Sequence, residues 1–144
     1  MKNFLFPFPL KFLGLFLTVA GTILAVFYLL FDFRLTLPVF AVFSSFLETK
    51  MFVTFRTNFA DELILLLLIT GFGFLVFSKE RQENEILEKV RLNAIFKALY
   101  ANTVFLLFSV LFIYGGGFMG VLIFNLISVQ VFYVVFFYVA KHNE

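Results

Sequence analysis

Cysteine is absent from the 144 residues, and histidine occurs once, as His142. A disulfide framework, a thiolate zinc site and a cysteine nucleophile are therefore excluded. Charge is scarce as well. Asp, Glu, Lys and Arg make up 14% of the chain, where a soluble domain carries about 25%. The motifs HExxH and GxSxG, a Walker loop and a metal-spaced His or Cys cluster are all missing. Gly71-Phe72-Gly73 lacks the third glycine and the strand–helix setting of a dinucleotide fingerprint. No catalytic set, cofactor site or metal site is expected, and the chain reads as a non-enzyme.

What is present is apolar. Hydrophobic residues make up 62% of the chain, with 26 phenylalanines. A water-soluble fold of this size could not bury that much hydrocarbon, and a disordered chain would not contain it. The formal charge of +2 arises from basic residues interleaved with acids, as in Lys79-Glu80-Arg81. A nucleic-acid footprint needs basic residues clustered on one face, so no nucleic-acid partner is expected. The partner implied by composition is membrane lipid.

A helix rises 1.5 Å per residue, so crossing a bilayer core takes about 20 apolar residues. Four stretches qualify: 12–31, 59–78, 98–114 and 118–140. Asn58 is placed to cap the second, with Asp61 three residues on in a box-like position. The Gly115-Gly116-Gly117 turn makes the last two spans antiparallel neighbours. The first run is longer than the 7–15 residues of a signal-peptide core and is read as a retained span.

Orientation follows from the Lys and Arg count, since acids contribute little to topology. Lys2, Lys11, Lys79, Arg81, Lys89, Arg91, Lys97 and Lys141 fall on one side, and Arg34, Lys50 and Arg56 on the other. Both termini and the 79–97 loop are thus expected in the cytoplasm of a bacterial inner-membrane protein. The fold class expected is an all-α four-transmembrane-helix bundle in one domain, residues 1–144. An extracytoplasmic amphipathic segment and a cytoplasmic helical hairpin complete it.

The extracytoplasmic segment is 32–58. Pro38 suits the first turn of a short helix. Val39, Phe40, Phe43, Phe46 and Leu47 would share its apolar face, with Ser44, Ser45 and Glu48 opposite. Such a helix would lie on the outer leaflet or cap the bundle. Residues 51–55 could continue it or be extended. On the other side, the chain is expected to bend at 82–84 and start a helix near Glu85. That hairpin would project past the membrane, with Ile86, Leu87, Val90 and Ala94 as its apolar stripe. Arg81, Lys89, Arg91 and Lys97 are the candidates for lipid headgroups or for docking a cytoplasmic protein.

No ionisable residue lies in the middle of a span, which removes the usual mark of a proton or ion path. Asp61 and Glu62 stand at the outer edge of span 2. The neutral polar residues Asn102, Ser109, Asn125, Ser128 and Gln130 are candidates for hydrogen bonds between helices, or for the lining of a pathway. Gly14, Thr18, Gly21 and Ala25 give span 1 one smooth face, and a free small-residue face favours a homo-oligomer or a larger complex.

Asn58-Phe59-Ala60-Asp61-Glu62, Phe77-Ser78-Lys79-Glu80, Arg91-Leu92, Asn102, Tyr114-Gly115 and Asn125 resemble a group of small bacterial four-span integral membrane proteins. The resemblance covers roughly residues 38–135, through short motifs. It implies a compact multi-pass inner-membrane protein and carries no assigned activity with it. The Gly116-Gly117 pair makes a more flexible turn than that group's pattern implies. The functional expectation is a non-catalytic membrane subunit or regulator working through protein contacts. The alternative is a small homo-oligomeric channel or transporter.

Overall fold

The computed structural model describes residues 4–44 and 49–143. Its elements are α1 (Pro9–Phe31), β1 (Thr36–Ser44), β2 (Lys50–Asn58), α2 (Ala60–Phe77), α3 (Glu85–Phe112) and α4 (Gly116–His142). All four helices are long and apolar enough to cross a membrane. The chain is thus a mostly helical, multi-pass membrane protein with a small two-stranded sheet.

Each helix end has a local cause. Pro9 opens α1, where a missing N–H costs nothing. Asp32 closes it with a left-handed φ of 47°. Asn84 caps α3, its Oδ1 accepting from Leu87 N at 2.8 Å, and Glu85 and Glu88 lie in the first turn, where acids suit the helix dipole. Asn58, expected to cap α2, instead stands one residue before its N-cap, Phe59. Its Oδ1 accepts from Ala60 N at 3.3 Å and from Leu35 N at 2.9 Å, so one side chain ties the foot of β1 to the start of α2.

The helices pack in the order α1–α2–α4–α3. The α1–α2 seam is made by glycines. A Cβ added at Gly14 would lie 2.8 Å from Phe74 Cβ and 2.9 Å from Gly71 O. The smooth face of span 1 is therefore filled by α2 of the same chain. The expectation that this face is free for a second copy is corrected. Without a hydrophobic force between helices in lipid, close van der Waals approach supplies the attraction, and only small residues permit it.

Two apolar clusters continue the packing. Ile64, Leu68 and Ile127 join α2 to α4. Val76, Leu87, Val90, Ala94, Ala98, Tyr133 and Phe137 join the end of α2 to α3 and α4. The second cluster corrects the projecting hairpin. Leu87, Val90 and Ala94 are buried against α4, so the first turns of α3 are part of the bundle.

The all-α expectation is corrected by the segment after α1. Residues 36–44 and 50–58 form an antiparallel hairpin, with Val39 opposite Phe55 and Ala41 opposite Val53. Val39 and Phe40 thus lie on opposite faces of a strand rather than on one face of a helix. Short apolar runs fit either period. Here Thr, Val and Phe favour the pleated surface, and each strand finds its partner in the other. Ser45, Phe46, Leu47 and Glu48, which the helical reading included, lie outside the described residues. Residues 51–55 are extended. Pairing skips Val42 and Phe52, and Phe52 adopts a left-handed φ of 53°.

Candidate functional site

The residues with the most chemistry meet on the face where α1 and α3 begin and α2 and α4 end. The segment before α1 pairs with the chain leaving α2: Phe6 N donates to Phe77 O at 2.8 Å, and Lys79 N donates to Phe6 O at 2.9 Å. That pairing fixes the turn 78–84 under the bundle. Glu80 then reaches inward. One carboxylate oxygen takes Lys11 of α1, and the other accepts from Lys141 of α4 at 2.9 Å. Glu80 is 8% exposed and Lys11 12%, whereas Lys141 is 40% exposed. Burial pushes the Glu80 carboxyl up, but the two lysines outweigh it and hold it below the ordinary carboxylate range.

Arg91 forms the second half of the junction. It is 3% exposed. Its Nη2 donates to both oxygens of Glu83, at 3.2 and 3.1 Å. Its Nη1 donates to Val76 O at 3.2 Å, to Ser78 O at 3.3 Å and, weakly, to Tyr133 Oη. The guanidinium carbon lies 5.2 Å from the Phe137 ring centroid, within cation–π range. Glu83 also accepts from Glu80 N at 2.9 Å, so the two ionic groups share one loop. The lipid-headgroup role expected of Arg91 is corrected by this burial. The planar fork of arginine suits a site that needs several donors in one plane, and Arg91 uses it to meet the buried carbonyls at the end of α2. Two buried polar atoms here, Ser78 Oγ and Arg91 Nε, have no hydrogen-bond partner among the described residues.

The other expected headgroup cations, Arg81, Lys89 and Lys97, are exposed. Arg81 makes no ion pair among the described residues. Asp61 and Glu62 are exposed in the first turn of α2 on the opposite face, where they suit its dipole.

Between α3 and α4 the structure brings together three of the five expected polar residues. Ser128 Oγ donates to Asn102 Oδ1 at 2.5 Å. Asn125 Nδ2 lies 3.1 Å from Asn102 Oδ1 and 3.1 Å from Ser128 Oγ. Ser109 is buried but donates to Phe105 O of its own helix at 2.8 Å. Gln130 stands apart, with a buried Oε1 that has no partner among the described residues. The triad satisfies itself, which is the behaviour of a side-chain link between helices.

Lys11, Glu80, Glu83, Tyr133 and Lys141 were not singled out by sequence reasoning as a site. Lys11 and Lys141 lie 69 and 61 residues from Glu80, and no local spacing announces such a pairing. The one available signal was Glu83 followed by Arg91, opposite charges flanking a helix start. Among the described residues, no group of three or more His, Cys, Asp or Glu could hold a metal ion. Compared with protein-family models, with curated proteins and with solved structures, the chain finds no match in any of the three.

Proposed function

We propose that this chain is a non-catalytic, multi-pass membrane subunit that works through protein contacts, within a homo-oligomer or a larger complex. In this reading it sits in a bacterial inner membrane with both termini in the cytoplasm, as the Lys and Arg distribution favours. One observation carries the proposal. Among the described residues, β1 and β2 pack substantially on no helix, and no third strand joins the two-stranded sheet. Phe40, Val42, Met51 and Phe52 stand exposed on it, Phe52 at 69%. A lone two-stranded hairpin is marginal in water, and an apolar hairpin with open edges is a template for another chain. An outer partner that completes the sheet supplies what the monomer lacks.

The channel reading draws less support. Asn102, Asn125 and Ser128 are consumed by one another, and Ser109 by its own helix. Four side chains that would line a pathway are thereby occupied.

The test is mass analysis of the tagged chain taken from its native membrane in lipid nanodiscs. The expected result is a defined oligomer or a stoichiometric second protein, lost in Phe40→Lys with Phe52→Lys. A monomer carrying only lipid, or an assembly indifferent to both substitutions, refutes the proposal.

A further inference from the structure

Glu80 separates two hollows on the terminal face. One, of about 490 Å³, has Arg81, Asn84 and Lys141 in its wall. The other, of about 240 Å³, is a cleft between α1 and α4, with Lys11 and Tyr138 at its rim and Phe12, Leu15 and Leu75 along its sides. Residues 11, 12 and 15 share one face of α1, and α2 lies between the two helices that flank the cleft. Phe12 and Leu15 are largely exposed, so the cleft opens to the bilayer rather than into the core.

Among the described residues, the charges around Glu80 do not balance. Lys11 and Lys141 pair with its carboxylate, and Arg81 lines the same hollow as Lys141 without an ion pair among those residues, so three cations border one acid. Both oxygens of that carboxylate are already engaged, one by each lysine. Lys11 is nearly buried and paired with Glu80, whereas Lys141 and Arg81 reach the surface, so the excess positive charge is presented where an anion can meet it. Lys11 Nζ also lies 5.0 Å from the Tyr138 ring centroid and Lys141 Nζ 5.9 Å from it. Tyr138 lines the apolar cleft, so Lys11 stands in the cleft wall and Lys141 close by, in the wall of the adjoining hollow. Excess cations above a hydrocarbon-lined slot that opens to lipid match one ligand chemistry, an anionic headgroup with an acyl chain attached.

We propose that this is a binding site for an anionic phospholipid of the leaflet on the terminal face. Its phosphate meets Lys11, Lys141 and Arg81, and the upper part of one acyl chain lies along Phe12, Leu15 and Leu75. A free phosphate would satisfy the cations and leave the slot unused. Basic pockets between spans recognise headgroups in this way, and each cation near the surface contributes about 1 kcal/mol, or about fivefold in affinity.

The chain has no tryptophan, so Phe12→Trp places a single indole at the cleft. The full-length variant is reconstituted in vesicles containing tail-brominated phosphatidylglycerol or tail-brominated phosphatidylcholine, and indole quenching is compared. The expected result is preferential quenching by phosphatidylglycerol. That preference should fall by about fivefold in Arg81→Gln and again in Lys141→Gln. Arg34→Gln, on the opposite face, should leave it unchanged. Native mass spectrometry of the unsubstituted protein should show phosphatidylglycerol retained in preference to phosphatidylcholine, independently of the tryptophan. Equal quenching by the two lipids overturns the proposal, as does a preference that survives both substitutions or falls equally in Arg34→Gln. Glycerol phosphate that relieves the quenching at millimolar concentration would assign the site to a free anion and overturn it too.

Discussion

Gly71→Ala tests the packing of α1 on α2 most sharply. A methyl group there would lie 2.5 Å from Thr18 Oγ1, 2.6 Å from Thr18 N and 3.0 Å from Gly14 O. Carbon contacts become comfortable only at about 3.5 Å, so the seam must open by about 1 Å. The threonine hydroxyl can turn away, but Thr18 N and Gly14 O are backbone, and α1 has to move as a body. A gap of that size forfeits about a quarter to a half of each dispersion contact along the seam. Overpacking of this kind costs about 1–3 kcal/mol, and the upper part of that range applies here because packing is the main attraction between helices in lipid. Two residues on, a Cβ at Gly73 would meet nothing within 4 Å. Gly73→Ala only removes a helix-interior glycine, a gain of about 0.5–1 kcal/mol. The same chemical change should therefore carry opposite signs at positions 71 and 73. Equilibrium unfolding in mixed micelles, by SDS titration or steric trapping, reads both. Adding Thr18→Ala to Gly71→Ala should recover less than half of the loss, since the backbone clash remains. A Gly71→Ala protein as stable as Gly73→Ala would refute the seam.

Two further outcomes follow from the polar contacts. Glu80 has a lowered pKa when folded, so the folded state binds fewer protons than the unfolded one, whose carboxyl titrates near 4.5. Its stabilisation is complete above that value and is lost as the pH falls through the lowered native pKa. Unfolding midpoints measured from pH 7 downwards should drop across that window, and Glu80→Gln should flatten the drop while lowering stability at neutral pH. An unchanged pH profile in Glu80→Gln would show that the Lys11 and Lys141 contacts do not form. For the intramembrane triad, a double-mutant cycle of Asn102→Ala with Ser128→Ala should give a coupling of about 0.6 kcal/mol, the typical size for hydrogen bonds between helices in lipid. Additive single effects would mean that the two side chains do not interact.

Much of the terminal-face site was illegible in the sequence for one physical reason. Arg91 reads as a headgroup cation because it stands near a membrane border among other basic residues. Its burial depends on Glu83 and on two carbonyls at the end of α2 meeting at one point, and a pattern of residue types does not contain such a meeting. The hairpin is illegible in the sequence for a related reason. A helix face and a strand pair are both compatible with 39–43, and the decision lay with residues 51–55 on the other strand. The smooth face of span 1 was recognised, but not its occupant.

By itself, the sequence determined the solvent, the number and approximate limits of the apolar helices, and the absence of thiol chemistry. Those follow from composition and run length, which act locally and additively. Only the tertiary structure decided what each polar and small residue touches: Gly14 and Gly71 on each other's helices, Asn102 on Ser128, Glu80 between two lysines from opposite ends of the chain. Those contacts depend on helix order and rotation, which side-chain packing sets collectively, over sequence separations that no local pattern spans.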